Sequence, residues 1–298
     1  MQLTLATYNI QYGLGQDGVF DLDRIVAAVG SADIICMQEV GQHWQRNGGE
    51  DQAAAVGAAL NYFYVFGSTF DADASYVSAE GRVVNRRRTF GNLVASRWPF
   101  RATRTLSLPR VPFAYGSDMA RCAVEAVVDV PGCPLRIYSV HLSFPSADLR
   151  RAQIEALLQY VRRAPRNGSA WDYTPGGGGS GPWAENDHDA TPPAPAVVMG
   201  DFNLSPTDAE YALLAGESRG ALPRLVRLDG LFDAWTRAKN DPAAGGTMRF
   251  PDRSLRLDHA FVTPDLRRAV QAMYIDTAAI GSDHQPVFLG LDLARRGA

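Results

Sequence analysis

Along this 298-residue chain, apolar stretches keep ending on residues that carry chemistry. Asn9, Glu39, His141, Asp201, Asn203, Asp258, Asp283 and His284 each follow or interrupt a run that reads as a β-strand. Strand ends on one edge of a packed sheet converge in space. Such an edge can gather carboxylates, amides and imidazoles that lie far apart in sequence. The pattern calls for a layered fold with one polar rim.

The elements between these positions can be read in order. Leu3, Leu5 and Thr7 alternate with Thr4 and Ala6, which predicts an opening strand that runs out at Tyr8-Asn9-Ile10. A glycine-rich loop (Gly13, Gly15, Gly18) leads to a helix with Leu22, Ile25, Val26 and Val29 on one face and Asp21 as N-cap. Residues 33–40 form an apolar run ending in Gln38-Glu39, as a buried strand would. Strands are expected at 91–96, 121–130 and 135–141, and a helix at 149–163. Residues 165–196 are rich in glycine and proline and read as a long loop. A strand follows from Val197 and ends at Gly200-Asp201-Phe202-Asn203. A helix at 206–215 and strands at 257–262, 269–275 and 286–293 complete the chain. The sum predicts one α/β domain over 1–298, with a two-sheet β-sandwich core and helices packed on the outer faces. If the strand before Asp201 runs parallel to the one ending at His141, the 165–196 loop starts at the end opposite the polar rim. That favours solvent exposure or an oligomer contact over a substrate lid.

Composition narrows the classes. No stretch approaches the ~20 apolar residues of a membrane-spanning helix. The start, Met1-Gln2-Leu3-Thr4-Leu5, shows no basic region followed by an apolar one, so a cytoplasmic protein is expected. Cys36, Cys122 and Cys133 are odd in number and irregularly spaced, and read as buried reduced thiols. The net charge of −3 weighs against a protein that holds long nucleic acid, although Arg86-Arg87-Arg88 is a local basic cluster.

Taken singly, the polar residues have plainer readings. Asn9 fits a strand-end turn, Glu39 a solvated terminus, Asp201 and Asn203 an Asx-type turn, and His141 a satisfied buried histidine. Together they are a donor set. Oxygen ligands suit hard divalent cations, chiefly magnesium, and a cation beside histidines suits phosphoryl hydrolysis.

Six motifs sharpen this: Thr7-Tyr8-Asn9-Ile10, Met37-Gln38-Glu39-Val40, Ser139-Val140-His141-Leu142, Gly200-Asp201-Phe202-Asn203, Arg256-Leu257-Asp258-His259 and Ser282-Asp283-His284-Gln285-Pro286-Val287. In type and order they resemble the endonuclease/exonuclease/phosphatase family, and they span nearly the whole chain. The resemblance implies a deoxyribonuclease-like four-layer fold and hydrolysis of phosphate esters with magnesium, manganese being a substitute. It implies Glu39 and Asn9 as metal ligands, with Asp283 facing the metal side. Asp201 would orient or deprotonate the attacking water, and Asn203 would bind a phosphate oxygen. His284, oriented by Asp258, would contact the phosphate, and His141 would donate to the phosphate or the leaving oxygen. Arg121 is a further candidate for a structural or phosphate contact.

Around Arg86, Arg87 and Arg88 the chain departs from relatives that place an aromatic or acidic catalytic side chain nearby; Arg88 suggests bidentate anion recognition instead. His43 and Trp44 read as a surface loop near the cleft, His259 as a packed strand histidine, and His188 as part of the long loop. The resemblance leaves the substrate open. A phosphodiesterase or phosphatase acting on a small or lipid-linked ester is the leading reading, a nucleic-acid endonuclease or exonuclease the alternative, and an inactive binding scaffold the third. The Trp-Cys-Asp-Arg run of inositol polyphosphate phosphatases is missing, Ser254-Leu255-Arg256-Leu257-Asp258 standing in its place. Oligomeric state is not legible.

Overall fold

The computed structural model describes residues 1–112, 118–166, 195–220, 222–250 and 252–297. Its first strand, β1 (Gln2–Asn9), shows how the layers arise. Leu3 and Leu5 face one side of the sheet and join one core cluster, while Ala6 and Tyr8 face the other side and join a second. A strand buried on both faces must lie in an inner layer.

The chain continues with β2 (Ile34–Gln42), β3 (Phe63–Asp73), β4 (Arg87–Ser96), β5 (Phe100–Ser107) and β6 (Cys122–Val128). Then come β7 (Leu135–His141), β8 (Ala196–Asp201), β9 (Phe232–Asp233), β10 (Asp258–Val262), β11 (Val270–Ile275) and β12 (Val287–Asp292). They form two six-stranded sheets, in the orders β11-β12-β1-β2-β4-β3 and β9-β10-β8-β7-β6-β5. Leu5, Cys36, Val94 and Leu289 of the first sheet pack against Val124, Ile137, Met199 and Ala260 of the second. On the outside of the first sheet lie α1 (Leu22–Val29) and α2 (Gln52–Leu60), whose Ile25, Val29, Ala53 and Val56 share a cluster with Tyr8, Ile35 and Met37. On the outside of the second lie α3 (Ala147–Arg163) and α4 (Tyr211–Ala215), with Ile154, Leu157 and Leu214 over Tyr138, Val198 and Phe261. A fifth helix, α5 (Ala234–Arg237), follows β9. The helix–sheet–sheet–helix architecture is the one expected.

Caps also follow sequence. Asp21 accepts from the Arg24 backbone N–H at 3.1 Å, Asp51 from Ala54 at 3.0 Å and Ser146 from Leu149 at 3.2 Å. The expected helix at 206–215 shrinks to α4. Ser205 and Asp208 engage in local bonds, with the Ser205 N–H donating to Asp208 Oδ2 at 2.7 Å, and these compete with helical pairing. Several elements were not anticipated: α2, α5, the edge strands β3 and β5, and the short β9. All three cysteines are free and buried, and burial pushes the thiols of Cys36 and Cys122 up, the latter to about 12. Among the described residues, no helix is long and apolar enough to cross a membrane.

The space between the sheets changes character along the strands. In β1 it runs Leu3, Leu5, Thr7, Asn9; in β7, Leu135, Ile137, Ser139, His141; in β8, Val197, Met199, Asp201. At the polar end the sheets are stitched by hydrogen bonds. Gln38 Nε2 donates to Ser139 Oγ at 3.1 Å, and Asn92 Nδ2 donates to the carbonyls of Cys122 and Ser139 at 3.0 and 3.3 Å. β7 and β8 are parallel, and the Arg136 N–H donates to the Pro195 carbonyl at 3.0 Å. The chain therefore re-enters β8 at the apolar end, away from Asp201. Most of the expected 165–196 loop, with His188, lies outside the described residues.

Candidate active site

Register builds one side of the site. Asp201 pairs with His141 across the parallel β7–β8 ladder and with Asp258 across the antiparallel β8–β10 ladder. Residues directly opposite in a sheet share a face, so the three side chains form a row. Gly200 permits this ladder. Its φ is 150°, and a Cβ there would run into the Val140 backbone.

The first sheet supplies the other side. Asn9 Nδ2 donates to Asp201 Oδ2 at 2.9 Å and to Glu39 Oε1 at 3.3 Å, which ties the two sheets together. Ser282 Oγ donates to the Asn9 carbonyl at 2.7 Å and accepts from the His284 N–H at 3.2 Å, so the turn carrying Asp283 and His284 is clamped onto β1. His284 Nδ1 meets Asp258 Oδ2 at 2.7 Å, and its Nε2 lies 3.9 Å from Asp201 Oδ2. The peptide N–H groups of Leu257 and Asp258 both donate to Thr247 Oγ1, fixing that carboxylate from behind. Asp258 Oδ1 is buried without a partner.

On the far side of Asp201, His141 Nε2 lies 3.4 Å from Asp201 Oδ2, 2.9 Å from Arg121 and 3.1 Å from Asn203 Nδ2. Two donors aimed at Nε2 mean that this nitrogen is an acceptor. Arg121 is in turn held by Asp118 at 3.3 Å, whose other oxygen accepts from Ser143 Oγ at 3.0 Å. Glu39 and Asn203 have φ of 61° and 50°, left-handed conformations that non-glycine residues seldom adopt.

Electrostatics divides the roles. Burial alone would discharge His284, but Asp258, Asp201 and Asp283 hold its imidazole up to about 10. Burial, then Arg121 and His284, drives His141 well below the usual range. Burial pushes the Asp201 carboxyl up to about 7, with His284 opposing and Asp258 adding. Glu39, half-buried, is also raised by desolvation, with the Asn9 amide opposing and Asp283 adding.

The structure thus gathers Asn9, Glu39, Arg121, His141, Asp201, Asn203, Asp258, Asp283 and His284. Arg88 stands apart, its guanidinium 5.5 Å from the Trp44 ring centre. His259 is a core residue: its Nε2 faces the Leu204 carbonyl at 2.9 Å, and its ring packs among Phe202, Tyr211 and Phe261. His43 Nδ1 meets the Gly49 carbonyl at 3.1 Å. Asp118, Thr247 and Ser282 have supporting roles that only tertiary contacts reveal.

The model of the Endonuclease/Exonuclease/phosphatase family matches residues 6–284, from just before Asn9 to His284 itself. The chain belongs to the endonuclease/exonuclease/phosphatase family. Members of this family are hydrolases of phosphate esters and generally depend on a divalent metal. No curated protein matches the chain. Among solved structures, an endonuclease/exonuclease/phosphatase from Beutenbergia cavernae is similar, with 25% identity and a TM-score of 0.67 over 100% of this chain and 72% of that one. A mannosyl-6-phosphatase from Bacteroides thetaiotaomicron shares the fold at 17% identity and a TM-score of 0.62, over 96% of this chain and 98% of its own. Truncated Caenorhabditis elegans TDP2 does so at 18% identity and 0.56, over 98% and 97%.

Proposed function

We propose that this protein is a magnesium-dependent hydrolase of phosphate esters, acting on small or lipid-linked substrates, with manganese as a substitute ion. One observation carries the reading: Asp201 is buried between a neutral imidazole, His141, and a charged one, His284, beside the carboxylate of Glu39.

The residues fit a hard cation. Glu39 and Asp283 offer carboxylate oxygens, Asn9 reaches Glu39 through its amide nitrogen while its Oδ1 accepts from the Gln11 N–H, and burial of the Glu39 carboxylate is only partly offset by Asn9, His284 and Arg121. Asp201, Asp258 and His284 also bring potential ligand atoms within 4.8 Å of one another. There, however, Asp258 is committed to His284 Nδ1, an orienting contact. When bound, the cation would draw negative charge from the phosphoryl group.

The chain's own groups do the rest. Asp201, raised by burial, is basic enough to orient a water and accept its proton. His284, kept as imidazolium by Asp258, presents Nε2–H to a phosphoryl oxygen that gains charge. Asn203 and Arg121 add donors beside it. Because His141 Nε2 already accepts from both, Arg121 rather than His141 faces the anion with spare N–H groups, and His141 positions Arg121.

A paired hydrolysis assay with magnesium tests this, using nitrophenyl, nucleotide, sugar and lipid phosphate esters in one arm and plasmid and abasic duplex in the other. Turnover of small or lipid esters, lost in Glu39→Ala and His284→Ala, is the expected result. Cleavage of nucleic acid alone would replace the substrate assignment. No turnover in either arm would end the enzymatic reading.

A further inference from the structure

Next to Glu39 stands a group of side chains with no part in the chemistry above. Trp44 is fixed on three sides: its Nε1 donates to the Thr89 carbonyl at 2.7 Å, and its ring packs against Phe70 and Phe90 at centroid distances of 5.5 and 6.2 Å. The guanidinium of Arg46 lies 4.1 Å from the Trp44 ring centre and 4.1 Å from that of Tyr12. Arg88 approaches the same Trp44 ring at 5.5 Å. A guanidinium stacked on aromatic rings keeps its in-plane N–H edges for a planar or tetrahedral anion.

Among the described residues, neither guanidinium makes an ion pair or a hydrogen bond, and Arg88 Nε is buried without a partner. Their neighbours differ. Arg87 is engaged by Asp71 and Asp73, and Arg86 stacks on Tyr76. The platform is wired to the catalytic residues. The Gln11 N–H donates to Asn9 Oδ1 at 3.1 Å, and Gln52 links the Tyr12 carbonyl (2.7 Å) to the Gly41 N–H (2.8 Å), two residues beyond Glu39. Gln11, Tyr12 and His43 sit at φ of 44°, 47° and 60°. Strained backbone of this kind persists where the surroundings over-determine it, and it clusters at ligand sites. The Glu39 charge acts on Arg46, which places the two within electrostatic reach.

We propose that Arg46 and Arg88, on the Tyr12–Trp44 platform, form a second anion subsite beside the catalytic cleft. It takes a second phosphate of the substrate, so the preferred class is a small organic ester carrying two phosphates. The assignment of the scissile phosphate rests on the hydrolase reading above; anion binding at the platform does not.

The test compares a hexose 6-phosphate with the matching hexose 1,6-bisphosphate in magnesium. Wild type favours the bisphosphate in kcat/KM by about tenfold, mainly through KM, the factor a charge-assisted hydrogen bond supplies. Arg46→Gln and Arg88→Gln each erase most of that ratio. Arg46→Lys does not restore it, because an ammonium lacks the planar fork. In parallel, tryptophan fluorescence is titrated with inorganic pyrophosphate in EDTA, where no turnover occurs. Saturable quenching weakened about tenfold in both glutamine variants supports the subsite even if no ester is hydrolysed, in which case only the hydrolase reading falls. A wild-type ratio near one, or a ratio and pyrophosphate affinity unchanged in both variants, overturns the subsite. Preference for a 5′-phosphorylated dinucleotide over the hexose bisphosphate overturns the small-ester assignment.

Discussion

Acidification should weaken this fold through a core side chain outside the catalytic cluster, His259. Burial, with Arg256 adding, pushes its imidazole from the ordinary 6.5 down to about 3. The unfolded chain takes up this proton as pH falls through 6.5, while the folded chain refuses it until about pH 3. The contribution of His259 to stability is therefore full above pH 6.5 and is lost as pH falls from there toward 3. Each unit of that window is worth about 1.4 kcal/mol, so moving from pH 7 to pH 5 costs about 2 kcal/mol through this group. Asp201 and Glu39, raised by burial, titrate in the opposite sense, and His141, lowered by burial, in the same sense, so a wild-type curve alone does not isolate the term. His259→Gln keeps an N–H near the Leu204 carbonyl and removes the titration. Urea unfolding of both proteins at pH 7, 6 and 5 gives the comparison. The variant, less stable at pH 7 through lost packing on Phe202, Tyr211 and Phe261, should narrow the gap by about 2 kcal/mol at pH 5. Parallel pH dependences in the two proteins would refute the argument from burial.

Other outcomes follow from the geometry. EDTA should abolish ester hydrolysis, and added magnesium or manganese should restore it in wild type but not in Glu39→Ala, read as initial rates. His284→Ala should lower kcat by at least about a hundredfold, the scale for losing a positioned acid or oxyanion donor. Gly200→Ala should destabilise by about 2–3 kcal/mol in urea, since its Cβ would meet the Val140 backbone at φ 150°. Glu125 is buried against Arg136 and accepts from Arg104 at 2.9 Å, so Glu125→Ala should cost about 1.5–3 kcal/mol in urea by removing the acceptor of these charged hydrogen bonds.

The parts of the structure legible in sequence were those with local causes. The inward Leu3–Leu5 alternation, the Asp21 cap and the apolar stripe of α3 each declare themselves within a few residues. Asn9, Glu39, His141, Asp201, Asp258 and His284 could be listed because each stands where an apolar run ends, is interrupted or begins. What was hidden depends on partners. In α2, Gln52-Ala53-Ala54-Ala55-Val56-Gly57 shows no apolar stripe, because small residues face both ways. β3 lies at a sheet edge with Phe63 and Tyr64 exposed, so its pattern resembles a loop. The acceptor role of His141 Nε2 comes from Arg121 and Asn203, 20 and 62 residues distant. The isolation of Arg88 from the catalytic cluster depends on where Trp44 is anchored, which no spacing encodes.

The parallel pairing of β7 and β8 has an engineering consequence. Pro195 hands the chain to β8 at the Arg136 end, and α3 runs 17 residues from its Ser146 cap beside the catalytic rim. A six-residue strand spans about 20 Å, and that length of rigid, doubly buried ladder separates the Pro195 junction from Asp201. A tag, tether or fused reporter joined at Pro195 therefore attaches about 20 Å from Asp201, with the whole of β8 between the two.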